Sequence, residues 1–336
     1  MQNKWLVRTN SKEYEVNLSN YSSLFVNYTS DENSLINPIV EFFQPRSKVK
    51  DDYTILDYNS EFDEISTKKY ISYKLSNDII IDEMKLGAKS ILAGQIKKNL
   101  LNDAEADGYI NTINVLLEDL VTSSNSEIPI RAKSFTHQSI IKLLEMDIDF
   151  GIVGETNSVL YQNKQLLPIL KDYILGVPTP PIVFFFYPEN YLSPREQLTM
   201  KEMLNQFSEQ IPIFVLTKTK IFLSGKYSGM NYFVNGKQLF TEEFIEALEW
   251  NSPIEFNSKE LMNSVMHVLR KSIDQWELHP VLSNYQSADL VLFEPIDIYV
   301  FVELMRKAGF SFELRLDEEK LPKPVYQYVL DVYEKM

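Results

Sequence analysis

Apolar and polar positions alternate with a period of two in short stretches near the start of the chain, "WLVRT" (5–9), "YEVNL" (14–18) and "SLFVNYT" (23–29). Such alternation predicts β-strands, because successive side chains of a strand point to opposite faces. After the third stretch, "SDENSLINPIVEFF" reads as a loop and then a helix, with Ser30 or Asp31 suited to the N-cap. "YTILDY" (53–58) and "KYISYKL" (69–75) read as further strands. From 82 to about 121 the period lengthens to that of a helix: Met84, Ala88, Ile91, Leu92 and Ile96 recur at i, i+3/i+4, and so do Ile110, Ile113, Leu116, Leu117 and Leu120. Residues 103–108 then form the corner of an antiparallel helical pair protruding from a sheet domain.

Downstream, the pattern predicts a helix at about 135–146, a strand "DIDFGIV" (147–153) and a helix at about 163–175. In "PPIVFFFYPENYLSPREQ" (180–197) an apolar run stops at Pro188, and Ser193-Pro194 with Glu196 starts a helix. A short apolar run bounded by turn residues, with a helix behind it, predicts a central strand of a parallel sheet. The helix at 193–208 leads to "IPIFVLT" (211–217), expected as a neighbouring parallel strand. Glycines cluster in "SGKYSGMNYFVNGK" (224–237), where the sheet pattern is expected to end. Helices at 240–250, 258–277, 296–308 and 323–335, with strands at 289–293 and 311–316, then predict a third, separable α/β unit. The expected architecture is α/β: a parallel-sheet head (1–76 and 147–224), a helical leg (77–146) and a C-terminal α/β extension (225–336).

Composition narrows the chemistry. A chain of 336 residues with 44% hydrophobic and 24% charged residues is that of an ordinary globular protein. Zero cysteines removes disulfides, thiolate catalysis and cysteine zinc sites. No apolar stretch is long enough to span a membrane and "MQNKWLVRTN" has no signal core, so a cytoplasmic location is expected. His137, His267 and His279 have no metal-ligand spacing and read as ordinary surface or half-buried residues. The net charge of −14 argues against a surface that coats nucleic acid all over, though not against a local basic track. Residues 226–336 carry 11 basic and 18 acidic residues, which makes that part a poor nucleic-acid binder by charge.

Nucleotide binding of the P-loop kind is excluded. A phosphate loop needs glycines whose N–H groups surround the phosphate, and a lysine to meet its charge. The loop "TSDEN" (29–33) has neither, and no GxxxxGK[ST] occurs among the ten glycines. The strand 182–186 also ends in Tyr187-Pro188, with its first acid at Glu189 instead of the magnesium-holding acid directly after the run. The aromatic run 184–187 with Tyr191 reads as core of that strand rather than as a base-stacking surface.

Two basic signals remain. Lys68, Lys69, Lys74, Lys85, Lys89, Lys97 and Lys98 fall within 31 residues, and Lys85, Lys89 and Lys97 are spaced for one helix face. Such a line of lysines suits a phosphate backbone, bound without regard to sequence; the alternative is a solvated face balanced by Asp78, Asp82 and Glu83. Glu83-Met84-Lys85 also has the acid-x-lysine form found at strand ends in metal-dependent nucleases, with Asp57 or Asp63 as an upstream acid. Glu318-Glu319-Lys320 fits that short pattern equally well. A third reading is an interaction scaffold whose acidic C-terminal unit docks basic partners.

The glycine-less strand-loop-helix, the helical pair, and "LPILKDYILG" with "IVFFFYPENYLSPREQLTMKEMLNQFSEQIPIFVLTKT" together resemble the type II-A CRISPR adaptation protein that forms a DNA-encircling ring. In that family an apolar strand, a short loop, Tyr-Leu-Thr/Ser and an acidic helix lead to a second apolar strand. The similarity covers roughly residues 14–224 and lies in patterns of fold. The length matches the long-form subgroup, with 225–336 as its extra C-terminal unit. The resemblance implies a head like a P-loop ATPase core without working nucleotide motifs, a helical leg, and a tetrameric ring. Lysines facing the opening of that ring hold linear double-stranded DNA, often by its ends. It implies no enzymatic activity, and a role in spacer acquisition beside the adaptation integrase and the effector nuclease. By position, Lys85, Lys89, Lys97 and Lys98 on the leg, with Lys68, Lys69 and Lys74 before it, become the DNA candidates. Short-form members place calcium-binding acids just after the second leg helix. Here "IPIRAKSFTHQ" carries Arg131 and Lys133 instead, so these cations stand where the metal's charge would act, and only Glu127, Glu145, Asp147 and Asp149 remain nearby as oxygen ligands.

Overall fold

The alternating stretches form β1 (Asn3–Thr9) and β2 (Glu13–Leu18), an antiparallel pair in which Trp5 lies opposite Val16 and Val7 opposite Tyr14. β3 (Tyr21–Phe25) begins two residues before the expected 23–29, of which 27–29 lie outside the described residues, and α1 (Glu32–Phe42) comes after it. β4 (Tyr53–Asp57) and β5 (Asp63–Glu64) complete an antiparallel sheet of order β2-β1-β4-β5. Trp5, Val7, Val16 and Ile55 bury one face of it in a core shared with Ile36, Phe42 and Phe43 of the α1 region. β6 (Ile71–Ser76) then enters a second sheet. The computed structural model describes residues 3–9, 12–26, 32–45, 49, 52–87, 90–124, 130–144, 146 and 158–336. Ser30, Asp31, Lys89 and the expected strand 147–153 lie outside them.

Ser76–Pro178 is a compact unit of its own. α2 (Asn77–Glu83) begins where β6 ends, because Ser76 caps it by accepting from the Ile79 N–H (3.2 Å). It ends at Glu83, so Met84 and Ile91, expected on one helix, belong to a break and to a new start, α3 (Ile91–Leu101). α4 (Ala104–Ser123) is capped by Asp103 and runs through Gly108, which tightens the corner to Asn102 and Asp103. α5 (His137–Ile141) is shorter than expected, and α6 (Val159–Leu175) starts earlier. α6 falls in this unit rather than with the head, since it packs on α2 and α3 and Asn163 Nδ2 donates to Asn77 Oδ1 (3.1 Å).

The second unit comprises Met1–Leu75 with Thr179–Met336. β7 (Pro181–Phe186) and β8 (Ile213–Thr217) are the expected parallel neighbours, with Phe184 beside Phe214. Between them α7 (Pro194–Ser208) starts on a reciprocal cap of Ser193 and Glu196. β8 pairs with β3 and β3 with β9 (Met230–Asn231), all parallel, in a sheet of order β6-β7-β8-β3-β9. The apolar runs are continuous because both faces of β7 and β8 are buried.

The sheet pattern does not end at 224–237. β10 (Phe233–Val234) and β11 (Lys237–Gln238) form a hairpin over Asn235 (φ +50) and Gly236 (φ +80), the two left-handed residues a two-residue turn needs. Gly229 lets this region approach β3, since a Cβ there would lie 2.6 Å from the Tyr21 carbonyl. α8 (Glu242–Asn251), α9 (Ser258–Ser272), α10 (Pro295–Ala308) and α11 (Lys323–Tyr333) surround a three-stranded parallel sheet. Its strands are β12 (Val281–Ser283), β13 (Leu290–Val291) and β14 (Glu313–Arg315), in order β13-β12-β14. α10 is buried from Asp297 to Met305.

These C-terminal elements fall in one compact unit with the head strands instead of a separable third unit. The reason is a buried amide network. Asn231 Oδ1 accepts from the Asn17 N–H (2.8 Å) and Gln238 Nε2 (2.7 Å), while Asn231 Nδ2 donates to the Asn17 carbonyl (3.0 Å). Asn17 Nδ2 in turn donates to the carbonyls of Met230 and Phe240. The fold is thus α/β, built on two parallel sheets, with helices on both.

Candidate nucleic-acid interface

The candidate cations divide between the two units. Lys68, Lys69 and Lys74 lie on the segment into and along β6 and are exposed. Lys69 is 3.5 Å from Asp57 Oδ2, and Lys74 donates to Asn37 Oδ1 (2.9 Å) with its ammonium 4.3 Å from the centre of the Phe186 ring. These two are therefore partly committed within the head. In the helical unit, Lys85 pairs with Asp82 (2.7 Å), Lys97 donates to Gln138 Oε1 (3.2 Å), and Lys98, Arg131 and Lys133 are exposed. The single helix face expected for Lys85, Lys89 and Lys97 is not formed by Lys85 and Lys97, because α2 has ended before Lys85 and α3 begins at Ile91; Lys89 lies outside the described residues.

Charge in this unit is sorted by segment. From 85 to 98 there are four lysines and no acid; from 99 to 130 there are six acids and no lysine or arginine; from 131 to 144 there are again three cations and no acid. α5 packs against α3, and the segment before it is pinned to α4: Asn114 accepts from the Phe135 N–H (2.6 Å) and donates to its carbonyl (3.0 Å). Folding thus brings the basic segment after Arg131 back to the basic helix α3, across the acidic α4. Lys142 belongs to this set and was not singled out from sequence; the signal was the acid-free run from 131 to 144 that contains it.

Glu83, the acid of the nuclease pattern, sits at the end of a helix rather than of a strand. Its side chain is 2% exposed, and its two oxygens accept from Ser90 Oγ (2.6 Å) and from the N–H groups of Ile91 (2.7 Å) and Leu92 (3.0 Å). The carboxylate is spent on the start of α3, where free N–H groups and the helix dipole favour an anion. Among the described residues no group of three or more His, Asp or Glu side chains is arranged to hold a metal ion.

The loop after β7 is held by Glu189, whereas Tyr191, read from the sequence as core, is exposed. Tyr187 (φ +50) and Tyr191 (φ +65) adopt left-handed backbone, costly for aromatic residues. Glu189 holds the turn by accepting from Thr217 Oγ1 (3.0 Å) and the Lys218 N–H (2.7 Å); burial raises its carboxyl above the ordinary range against these bonds. Lys201, unnoticed in the sequence, donates to the Leu223 carbonyl (2.9 Å) and stands 3.4 Å from the centre of the Tyr21 ring. Burial, with Arg270 second, lowers it to about 7.

No family model and no curated protein sequence matches the chain. Among solved structures, the crystal structure of Stu0660 of Streptococcus thermophilus is similar to it, with a TM-score of 0.59 and 16% identity over 97% of this chain and 99% of that one. At this identity the likeness is one of fold, and it runs over nearly the whole of both chains.

Proposed function

We propose that the chain binds linear double-stranded DNA without reading its sequence. In this reading it is a homotetrameric ring of the type II-A CRISPR adaptation kind, supports spacer acquisition in antiviral defence and catalyses no reaction itself. The observation that carries the reading is the sorting of charge in the helical unit: lysines on α3, acids on α4, and cations again from Arg131 to Lys142. Screening beyond about 8–10 Å lets such acid-free segments meet phosphates at contact although the whole chain is at −14. A ring adds the modest basic face of each subunit onto one duplex.

Assembly draws support from α4, which leaves Tyr109 (67%), Val115 (58%), Leu116 (55%) and Leu120 (67%) in solvent, more apolar side chain than a lone helix presents without a partner. The integrase and effector-nuclease partners and the DNA ends rest on the family resemblance, and the cytoplasmic setting on the lack of a membrane-spanning stretch and a signal core in the sequence. Among the described residues no helix is long and apolar enough to cross a membrane. Calcium has no support in the described residues, and Glu127, Glu145, Asp147 and Asp149 lie outside them.

The test is a gel-shift titration of linear and circular duplexes against salt, beside the particle mass with and without calcium. Retention that falls steeply with salt, on a particle of four chains, supports the reading. No retention of linear duplex at low salt sinks it, and cleavage that needs magnesium or manganese moves the protein to the nuclease class.

A further inference from the structure

A cleft of about 550 Å³ opens between the last turn of α10, the segment leading into β14, the end of α11 and the turn before β12. His279, Arg306, Phe310, Ser311, Tyr333 and Lys335 line it. Its size is that of sites for small organic ligands, about 300–1,000 Å³. Three of these side chains bring positive or proton-donating groups into an otherwise acidic region. Arg306 is paired with Glu303, but Glu303 is buried and its other oxygen accepts from Tyr328 Oη (2.9 Å), so this anion faces away from solvent while half of the Arg306 side chain is exposed. Lys335 is exposed, and its ammonium has no ion pair or hydrogen bond among the described residues. His279 uses Nδ1 on Ser311 Oγ (2.8 Å), which leaves Nε2 available. It does so from left-handed backbone (φ +54, ψ +63), a conformation that costs a histidine and is retained where the surroundings or a function impose it.

The rest of the lining is aromatic. Phe310 is half-buried beside Trp276 (6.3 Å between ring centres), and Tyr333 is exposed beside Phe312 (5.4 Å). An inorganic anion has no use for these rings, and a purely apolar ligand has none for the cations. A ligand with a phosphate at one end and a flat ring at the other uses both.

We propose that this cleft binds a phosphorylated nucleotide, the phosphate on Arg306, Lys335 and His279 and the base against Phe310 and Tyr333. The nucleotide is either free or the 5′-phosphorylated end of a DNA strand. The site lies wholly in the C-terminal elements and stands whether or not the ring reading does.

The experiment is isothermal titration calorimetry of the full chain with deoxyadenosine monophosphate, deoxyadenosine and inorganic phosphate. The nucleotide is expected to bind saturably, and each fragment about tenfold or more weaker. Lys335→Glu, at an exposed side chain without partners, weakens the nucleotide about tenfold with an unchanged melting midpoint. Tyr333→Ser weakens the nucleotide and leaves inorganic phosphate unaffected. Arg306 is kept, because its removal strands the buried Glu303. Displacement by 5′-phosphorylated but not 5′-hydroxyl duplex assigns the site to a DNA end; displacement by neither assigns it to free nucleotides. No binding of the nucleotide, equal binding by Lys335→Glu, or inorganic phosphate binding as tightly as the nucleotide overturns the proposal.

Discussion

The carboxylate of Glu189 accepts from the backbone N–H of Lys218 at 2.7 Å, and this bond ties the loop after β7 to the end of β8. The first acid after the central strand therefore closes the sheet end instead of facing a ligand. Glu189→Ala should lower stability by about 1–3 kcal/mol, since the Lys218 N–H and Thr217 Oγ1 lose their acceptor. Burial raises the Glu189 carboxyl, so the folded state holds its proton more tightly than the unfolded chain does. Stability should thus fall as pH rises through the window just above the ordinary carboxylate range, and Glu189→Gln should flatten that fall. Chemical denaturation at a series of pH values reads both effects.

Glu83→Ala should cost about 1–2 kcal/mol, the weight of a helix cap, with loss of far-UV helical signal. Glu83→Gln keeps part of the bonding and should fall between. A fall in magnesium-dependent DNA cleavage with unchanged stability would refute the capping role.

The cations of the two units should differ in effect. Charge reversal at Lys97, Lys98, Arg131 and Lys133 should abolish duplex retention at moderate salt and reduce the salt slope by about one per lost phosphate contact. Reversal at Lys69 and Lys74 should act less on binding and more on stability, because Asp57, Asn37 and the Phe186 ring already hold them. Filter binding against salt, beside melting curves, separates the two.

Asn231→Ala strands the Asn17 N–H in the core and leaves Gln238 Nε2 with the Glu15 carbonyl alone (3.4 Å), and should destabilise by about 3 kcal/mol. By the same bonds, a chain ended at Ser224 loses β9 from the edge of β3 and the partners of Asn17, and should fail to give a cooperative unfolding transition. A folded, sharply melting 1–224 fragment would contradict the single-unit arrangement.

Lys201 is lowered to about 7 by burial, then by Arg270, against an ordinary value of 10.5. Between those values the unfolded chain holds more protons than the folded one, so stability should rise with pH across pH 7 to 10 by up to about 1.4 kcal/mol per unit. The Tyr21 face and the Leu223 carbonyl favour the ammonium and oppose this. Lys201→Met should remove the rise; an identical pH profile in the variant would show that these two contacts win.

Residue order alone is enough for the elements whose pattern is long or whose boundaries carry their own chemistry. The runs at 182–186 and 211–216 are apolar throughout because both faces of their strands are buried, and they are parallel neighbours as read. Ser193-Pro194 with Glu196 started α7 where expected, because a cap is a local bond. Asn235-Gly236 also carried its hairpin signal, which the surrounding glycines obscured. Tertiary structure decided what depends on partners far along the chain. The break after Glu83 cannot be read from apolar spacing, since it is fixed by a carboxylate reaching Ser90, Ile91 and Leu92. The union of the C-terminal elements with the head rests on Asn17 and Asn231, and the meeting of the two basic segments rests on α5 packing back on α3 across an acidic helix. Hydrogen bonds between residues more than two hundred positions apart leave no periodic trace, because each amide satisfies a neighbour that only the folded chain supplies.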